Sequence, residues 1–129
     1  MDSALEARLK ATFPKLYRNS AYCACHDGWF CLIWRLSTQL EELISQVPEP
    51  EQEAYFAMQV KEKWGQLRFD LSTETDEMFQ ATEAALEESE QVCELCGAAG
   101  TLLNDGGWFM TRCSMHAPAP SQPRPAGAL

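Results

Sequence analysis

Four side chains near the C-terminus constrain this chain most. In CELCGAAGTLLNDGGWFMTRCSMH, Cys93 and Cys96 form one closely spaced pair, and after sixteen intervening residues Cys113 and His116 form a second. Each pair can grip a tetrahedral ion locally, and the segment between them folds back to join the two. The spacing therefore predicts one structural zinc ion held by Cys93, Cys96, Cys113 and His116. Gly97 suits a backbone turning tightly around the metal. Asn104, Asp105, Gly106 and Gly107 mark a turn between the apolar pairs Leu102–Leu103 and Trp108–Phe109, so the spacer reads as a β-hairpin and the unit as a small zinc ribbon. With four protein ligands no coordination position is left for a reacting water, which points away from Lewis-acid catalysis. The zinc-deaminase signature is also missing: no proline precedes Cys93 and no H-x-E lies upstream.

The chain has 129 residues, enough for one ordinary domain with a genuine core. The expectation is a single α+β domain over 1–116, with the zinc unit at 93–116 and a disordered Pro/Ala-rich tail at 117–129. The opening MDSALEARLK carries both signs of charge and no apolar run, so it reads as neither a signal peptide nor a membrane anchor. A cytoplasmic protein is expected. There, thiols stay reduced, and the six cysteines argue for metal binding or burial before disulfides.

Periodicity supplies the elements. Leu5, Leu9 and Phe13 recur at helical spacing after Ser3, a candidate N-cap, until Pro14 interrupts. Trp29, Leu32, Ile33, Leu36, Leu40, Leu43 and Ile44 form one broad stripe, entered through Asp27 and Gly28 and ended by Pro48 and Pro50. This helix is the expected centre of the core. The period then changes to two: Phe56, Met58 and Val60 alternate before a turn at 63–66, and Leu67, Phe69 and Leu71 after it, giving a hairpin with one face on the helix. Residues 73–92 return to helical spacing, with Met78, Phe79, Thr82, Ala85, Leu86 and Ser89 as the stripe and Thr73 or Thr75 as the cap. The fold class predicted is α+β: amphipathic helices packed on a β-hairpin, with a C-terminal zinc-ribbon-like hairpin.

Charge is distributed unevenly. The formal net charge is −9, yet residues 1–40 hold five basic against three acidic side chains, while residues 74–94 hold eight acidic and no basic ones. This balance disfavours direct nucleic-acid binding and suits a protein partner with a basic surface. Glu83, Glu87, Glu88, Glu90 and Glu94 read either as a solvated helix face or as an attracting surface. Trp29, Trp34, Trp64 and Trp108 are candidate contacts; Trp29 falls on the core stripe, Trp34 falls off it, and Trp64 lies in a turn. The predicted partner surface is Glu83, Glu87, Glu88, Glu90 and Trp64. A second reading, a nucleic-acid-binding zinc ribbon, would use Lys61, Lys63, Arg68 and Arg112. Cys23, Cys25, His26 and Cys31 stay open between buried thiols and a second metal site. No nucleophile–base pair stands out, so a non-enzymatic binding protein is expected.

The entry CHDGWF (Cys25–Phe30), the block QVKEKWGQLRF (Gln59–Phe69) and the closing CELCG with GGWFMTRCSMH resemble a family of small bacterial and phage or prophage zinc-binding proteins over most of residues 20–117. That family usually has glycine where this chain has His26. The resemblance supports the four metal ligands and implies that Asp27, Gly28, Trp29, Lys61, Glu62, Lys63, Gly65 and Arg68 form a shared surface or structural joint. A phage or mobile-element origin fits an accessory protein inhibiting a host nucleic-acid-handling or defence complex, acting in the host cytoplasm.

Overall fold

A computed structural model describes residues 1–118. The expected tail beyond Pro118 lies outside the described residues. Helices and two small sheets make a mixed α+β architecture: α1 (Ser3–Thr12), β1 (Cys23–Ala24), α2 (Phe30–Gln46), β2 (Ala57–Lys63), β3 (Gln66–Leu71), α3 (Asp76–Ser89), β4 (Thr101–Asp105) and β5 (Trp108–Arg112). Short 3-10 turns at Asp27–Trp29 and Glu49–Ala54 flank α2. No helix among the described residues is long and apolar enough to cross a membrane.

α2 follows its sequence pattern closely. Trp29, Leu32, Ile33, Leu36, Leu40 and Ile44 are buried, and Leu43 packs against the core half-buried. Spacings of three and four place them on one side of the helix, where burial of each is worth about 2 kcal/mol. Ser37 lies within this stripe and is fully buried; its hydroxyl pairs with the Tyr17 hydroxyl at 2.7 Å, which satisfies both polar groups. Glu41 accepts from the amides of Lys15 and Leu16 at 3.2 and 2.7 Å and so fixes the irregular segment after α1.

α1 is capped by Asp2, whose carboxylate accepts from the Ala4 and Leu5 amides at 2.9 and 3.3 Å. The cap expected at Ser3 thus lies one residue earlier. An Asp2→Ala variant should lose about 1 kcal/mol of stability by urea denaturation; an unchanged midpoint would show that the cap contributes nothing.

The sheet has the order β1-β2-β3. β2 and β3 form the expected hairpin, joined by Trp64 and Gly65, both at positive φ (59° and 79°), as a two-residue turn matching strand twist requires. The added strand β1 runs parallel to β2, with Cys23 opposite Val60, so α2 serves as the crossover between them.

Two expected phases are corrected. A register shift between Ala57 and Gln59 breaks the alternation of β2, so Ala57 and Val60 are buried while Met58 is 49% exposed. In α3, capped by Thr75, the buried residues are Met78, Ala81, Ala85 and Ser89, whereas Phe79 is 49% exposed. α3 lies against both α2 and β3, and small alanines let helix backbones approach closely. The predicted stripe was therefore rotated towards its bulkier members.

Candidate metal centre

The C-terminal segment builds its site on a tight knuckle and a hairpin. The Cys93 amide donates to Ala98 O at 2.8 Å, and the Gly97 amide donates to Cys93 O at 2.9 Å with Gly97 at φ +82°. β4 and β5 pair from Thr101–Arg112 to Asp105–Trp108, turning through Gly106 and Gly107, both at positive φ. After β5, the amides of His116 and Ala117 both donate to Cys113 O. The hairpin thereby returns Cys113 and His116 to Cys93 and Cys96.

One ligand atom from each of these four residues lies within 4.8 Å of all the others. Cys113 Sγ is 3.2 Å and Cys93 Sγ 3.7 Å from His116 Nδ1, and Cys96 Sγ is 3.6 Å from Cys113 Sγ. These separations suit four donors around one metal ion.

The local field favours the thiolate at two of the three sulfurs, Cys93 and Cys113. Burial pushes the Cys93 thiol up, but the backbone groups of Cys113, Cys96 and Leu95 outweigh it and bring it down to about 6. Desolvation likewise opposes ionisation of Cys113, yet His116 beside it leads the influences that lower it. His116 is raised, chiefly by Cys113 and then by Cys93. For Cys96 the Ala98 backbone pulls downward, and desolvation with the neighbouring sulfurs prevails upward.

Two glycines join this unit to the rest of the chain. The Gly28 amide donates to Glu94 O at 2.7 Å, and a Cβ on Gly28 would lie 2.2 Å from Cys93 O. The fully buried Trp29 donates from Nε1 to Val92 O at 2.8 Å. On the other side Thr111 Oγ1 donates to Gly65 O at 2.7 Å, and a Cβ on Gly65 would lie 2.6 Å from Leu102 Cδ1. The CHDGWF and KWGQ segments thus both meet the Cys/His unit, one at the knuckle and one at the hairpin. Within the turn, Glu62 accepts from the Gly65 amide at 2.7 Å.

Glu94, between the first two ligands, is 4% exposed. Its carboxylate accepts from the His26 amide at 3.2 Å and pairs with Arg112 at 3.3 Å, so it belongs to the joint and not to a solvated helix face. Sequence reasoning placed it with the helix because the acidic run continues into the knuckle. A carboxylate between two candidate ligands, distant in sequence from the entry of α2 yet bonded to it, left no periodic signal.

The remaining expected surface residues have distinct surroundings. Glu83 and Glu87 are exposed on α3. Glu88 pairs with Arg35, and Glu90 accepts from the Gln66 side chain, so these two carboxylates already hold intrachain partners. Trp64 is 59% exposed and stacks at a tilt on Phe109, with ring centroids 5.8 Å apart. Trp108, 74% exposed, joins them around a shallow hollow of about 230 Å³ with Glu62 and Gly107. Trp34 is half-buried, edge-on to Phe13 at 4.9 Å, and Arg8 lies over its ring.

Of the alternative basic patch, Lys63 is exposed and Lys61 half-buried, whereas the two arginines are engaged within the chain. Arg112 is held by Glu94, and Arg68 is half-buried with Nη2 on Gln66 Oε1 at 3.2 Å. Cys23 and Cys25 are buried, and burial chiefly raises both thiols to about 12, which opposes metal-binding thiolates. Cys31 is exposed, and among the described residues no second metal-capable group forms.

The chain matches no family model, no curated protein and no solved structure in the comparisons made with them.

Proposed function

We propose that this chain is a non-catalytic binding protein whose C-terminal hairpin is a zinc ribbon, clamped by one structural Zn²⁺, and which engages a protein partner of basic surface. The carrying observation is the set of four converging donors, three sulfurs and one imidazole nitrogen, within 4.8 Å of one another. Zinc bonds of about 2.3 Å to sulfur and 2.0 Å to nitrogen imply tetrahedral edges of about 3.5–3.8 Å. The observed 3.6 and 3.7 Å separations agree, and the 3.2 Å pair closes slightly inside them. A set of four protein ligands fills the tetrahedron and supports a structural role.

The binding surface is the aromatic ledge of Trp64, Trp108 and Phe109 beside the acidic α3. Glu90, just past the end of α3, reaches Gln66, the residue that follows the Trp64–Gly65 turn, so helix end and ledge are neighbours. Large exposed aromatics supply contact area, and the exposed Glu83 and Glu87 supply attraction for lysine and arginine. The family resemblance adds a context: an accessory protein of phage or mobile-element origin that occupies a basic, nucleic-acid-handling surface of a host or defence complex.

Affinity capture with the zinc-loaded chain tests this reading. Partners retained by the native chain should be lost from Trp64→Ala/Trp108→Ala and from Glu83→Lys/Glu87→Lys variants. Retention by both variants, or a partner without a basic surface, would overturn the assignment. Cobalt substitution tests the closed site separately: a solvent-exchangeable ligand on the ion would count against a purely structural role.

A further inference from the structure

The groove between β3 and α3 has features that the metal centre does not use. β3 pairs only with β2, so its other edge has no strand beside it among the described residues. On that edge the Leu67 amide donates to Ser89 Oγ at 2.9 Å, which fixes the direction in which its backbone polar groups face. Phe69, two residues on, faces the same way, and no described residue takes its amide or carbonyl. An unpaired strand edge is a template for another strand.

Across from it, α3 presents Phe79, Thr82, Glu83 and Leu86, whose spacing of three, one and three puts them on one helix face. Strand and helix enclose a cleft of about 290 Å³. Phe79 and Leu86 are the apolar residues of the expected stripe that the core leaves partly uncovered. Asp70 and Glu74 add to the acidity of Glu83, against the single cation Arg68, whose Nε is buried without a hydrogen-bond partner.

We infer that this groove binds an extended, lysine- or arginine-containing segment of another protein, which adds to the free edge of β3 as a further strand. The inference rests on the protein-binding reading above and assigns it a second surface with a defined partner chemistry. Backbone hydrogen bonds to Phe69 supply affinity, and alternate side chains of the guest meet the α3 face. The chain's own C-terminal tail is a poor occupant, because Pro118, Pro120, Pro123 and Pro125 lack the amide protons that a strand needs. A second copy is also disfavoured: it would bring a second set of the same carboxylates to the edge, on a chain of formal charge −9.

A display library of random short peptides, selected on the zinc-loaded full chain, tests the proposal. The expected hits are basic and proline-free, shift the Phe69 amide resonance, and lose binding when alternate peptide amides are N-methylated. Thr82→Trp should block them, and Asp70→Lys/Glu83→Lys should weaken them about tenfold. Failure to enrich basic peptides would overturn the groove assignment. Hits that survive Thr82→Trp but are lost with Trp64→Ala would overturn it too, while leaving the aromatic ledge as a protein-binding site. Self-association abolished by Thr82→Trp would replace the foreign segment with a second copy.

Discussion

Exhaustive chelation should abolish the ordered structure of residues 93–116 and sharply lower the melting temperature. Structural zinc contributes on the order of 10 kcal/mol of folding free energy for ligand sets of this type, comparable with the whole stability of an ordinary domain. Beyond its joint with Gly28, Trp29 and Gly65, the Cys/His unit has little core of its own. Its burial is confined mainly to Cys93, Cys113, Thr111 and the joint residue Glu94. Leu102, Leu103, Phe109 and Met110 remain half-exposed, and Trp108 is open to solvent. Without the ion, three closely placed sulfurs would also repel one another as they ionise. Metal analysis should find one zinc per chain, and Cys113→Ser should lose it. Amide exchange should then accelerate at Cys93 and Glu94, whose N–H groups bond to Ala98 O and Thr111 O. Amides within α2 should remain protected, because its stripe packs on α1, the sheet and α3. A chelated chain with unchanged melting and unchanged exchange at residues 93–94 would refute the structural role of the metal.

The contrast between α2 and α3 shows what a sequence of this kind makes legible. α2 buries large side chains on every turn, so hydrophobicity alone gives the correct face. α3 instead buries Ala81 and Ala85. A residue chosen for close approach carries little hydrophobic signal, and Phe79 misled the phase because it remains half-open to solvent. Met58 illustrates a different limit: period two holds only until the ladder slips, and nothing local to Phe56–Val60 announces the shift. β1 was missed because a two-residue strand has no period, and its partner is far along the chain. The convergence of the four Cys/His side chains was legible because their geometry is local within each pair, and the Gly-Gly turn supplies the return. The joint was not legible from spacing: Gly28, Glu94 and Gly65 become partners only through packing, although the resemblance had singled out Gly28 and Gly65.

That joint yields the second large effect: Gly28→Ala should destabilise the protein by at least about 3 kcal/mol, the upper end for ordinary overpacking. The added Cβ would lie 2.2 Å from Cys93 O, 2.3 Å from Glu94 O and 2.4 Å from the Glu94 carbonyl carbon. All three are backbone atoms of the knuckle, with no flexible side chain that could swing aside. Relief requires the knuckle to move off the entry of α2. That would break the Gly28–Glu94 hydrogen bond and pull Val92 away from the Trp29 indole. Because Cys93 is itself a proposed ligand, the variant should retain zinc less firmly against a competing chelator as well as melt earlier. Gly107→Ala separates this cause from the ordinary cost of replacing glycine. Gly107 has φ +96° with nothing within 4 Å of the position a Cβ would take, so its substitution strains only the turn and should cost about 1–2 kcal/mol without loosening the metal. Equal losses in the two variants would mean that the knuckle gives way to the added methyl at little cost, since Gly28 has no positive φ to strain. A Gly28→Ala chain that melts and holds zinc like the native one would show that the knuckle is not seated against α2.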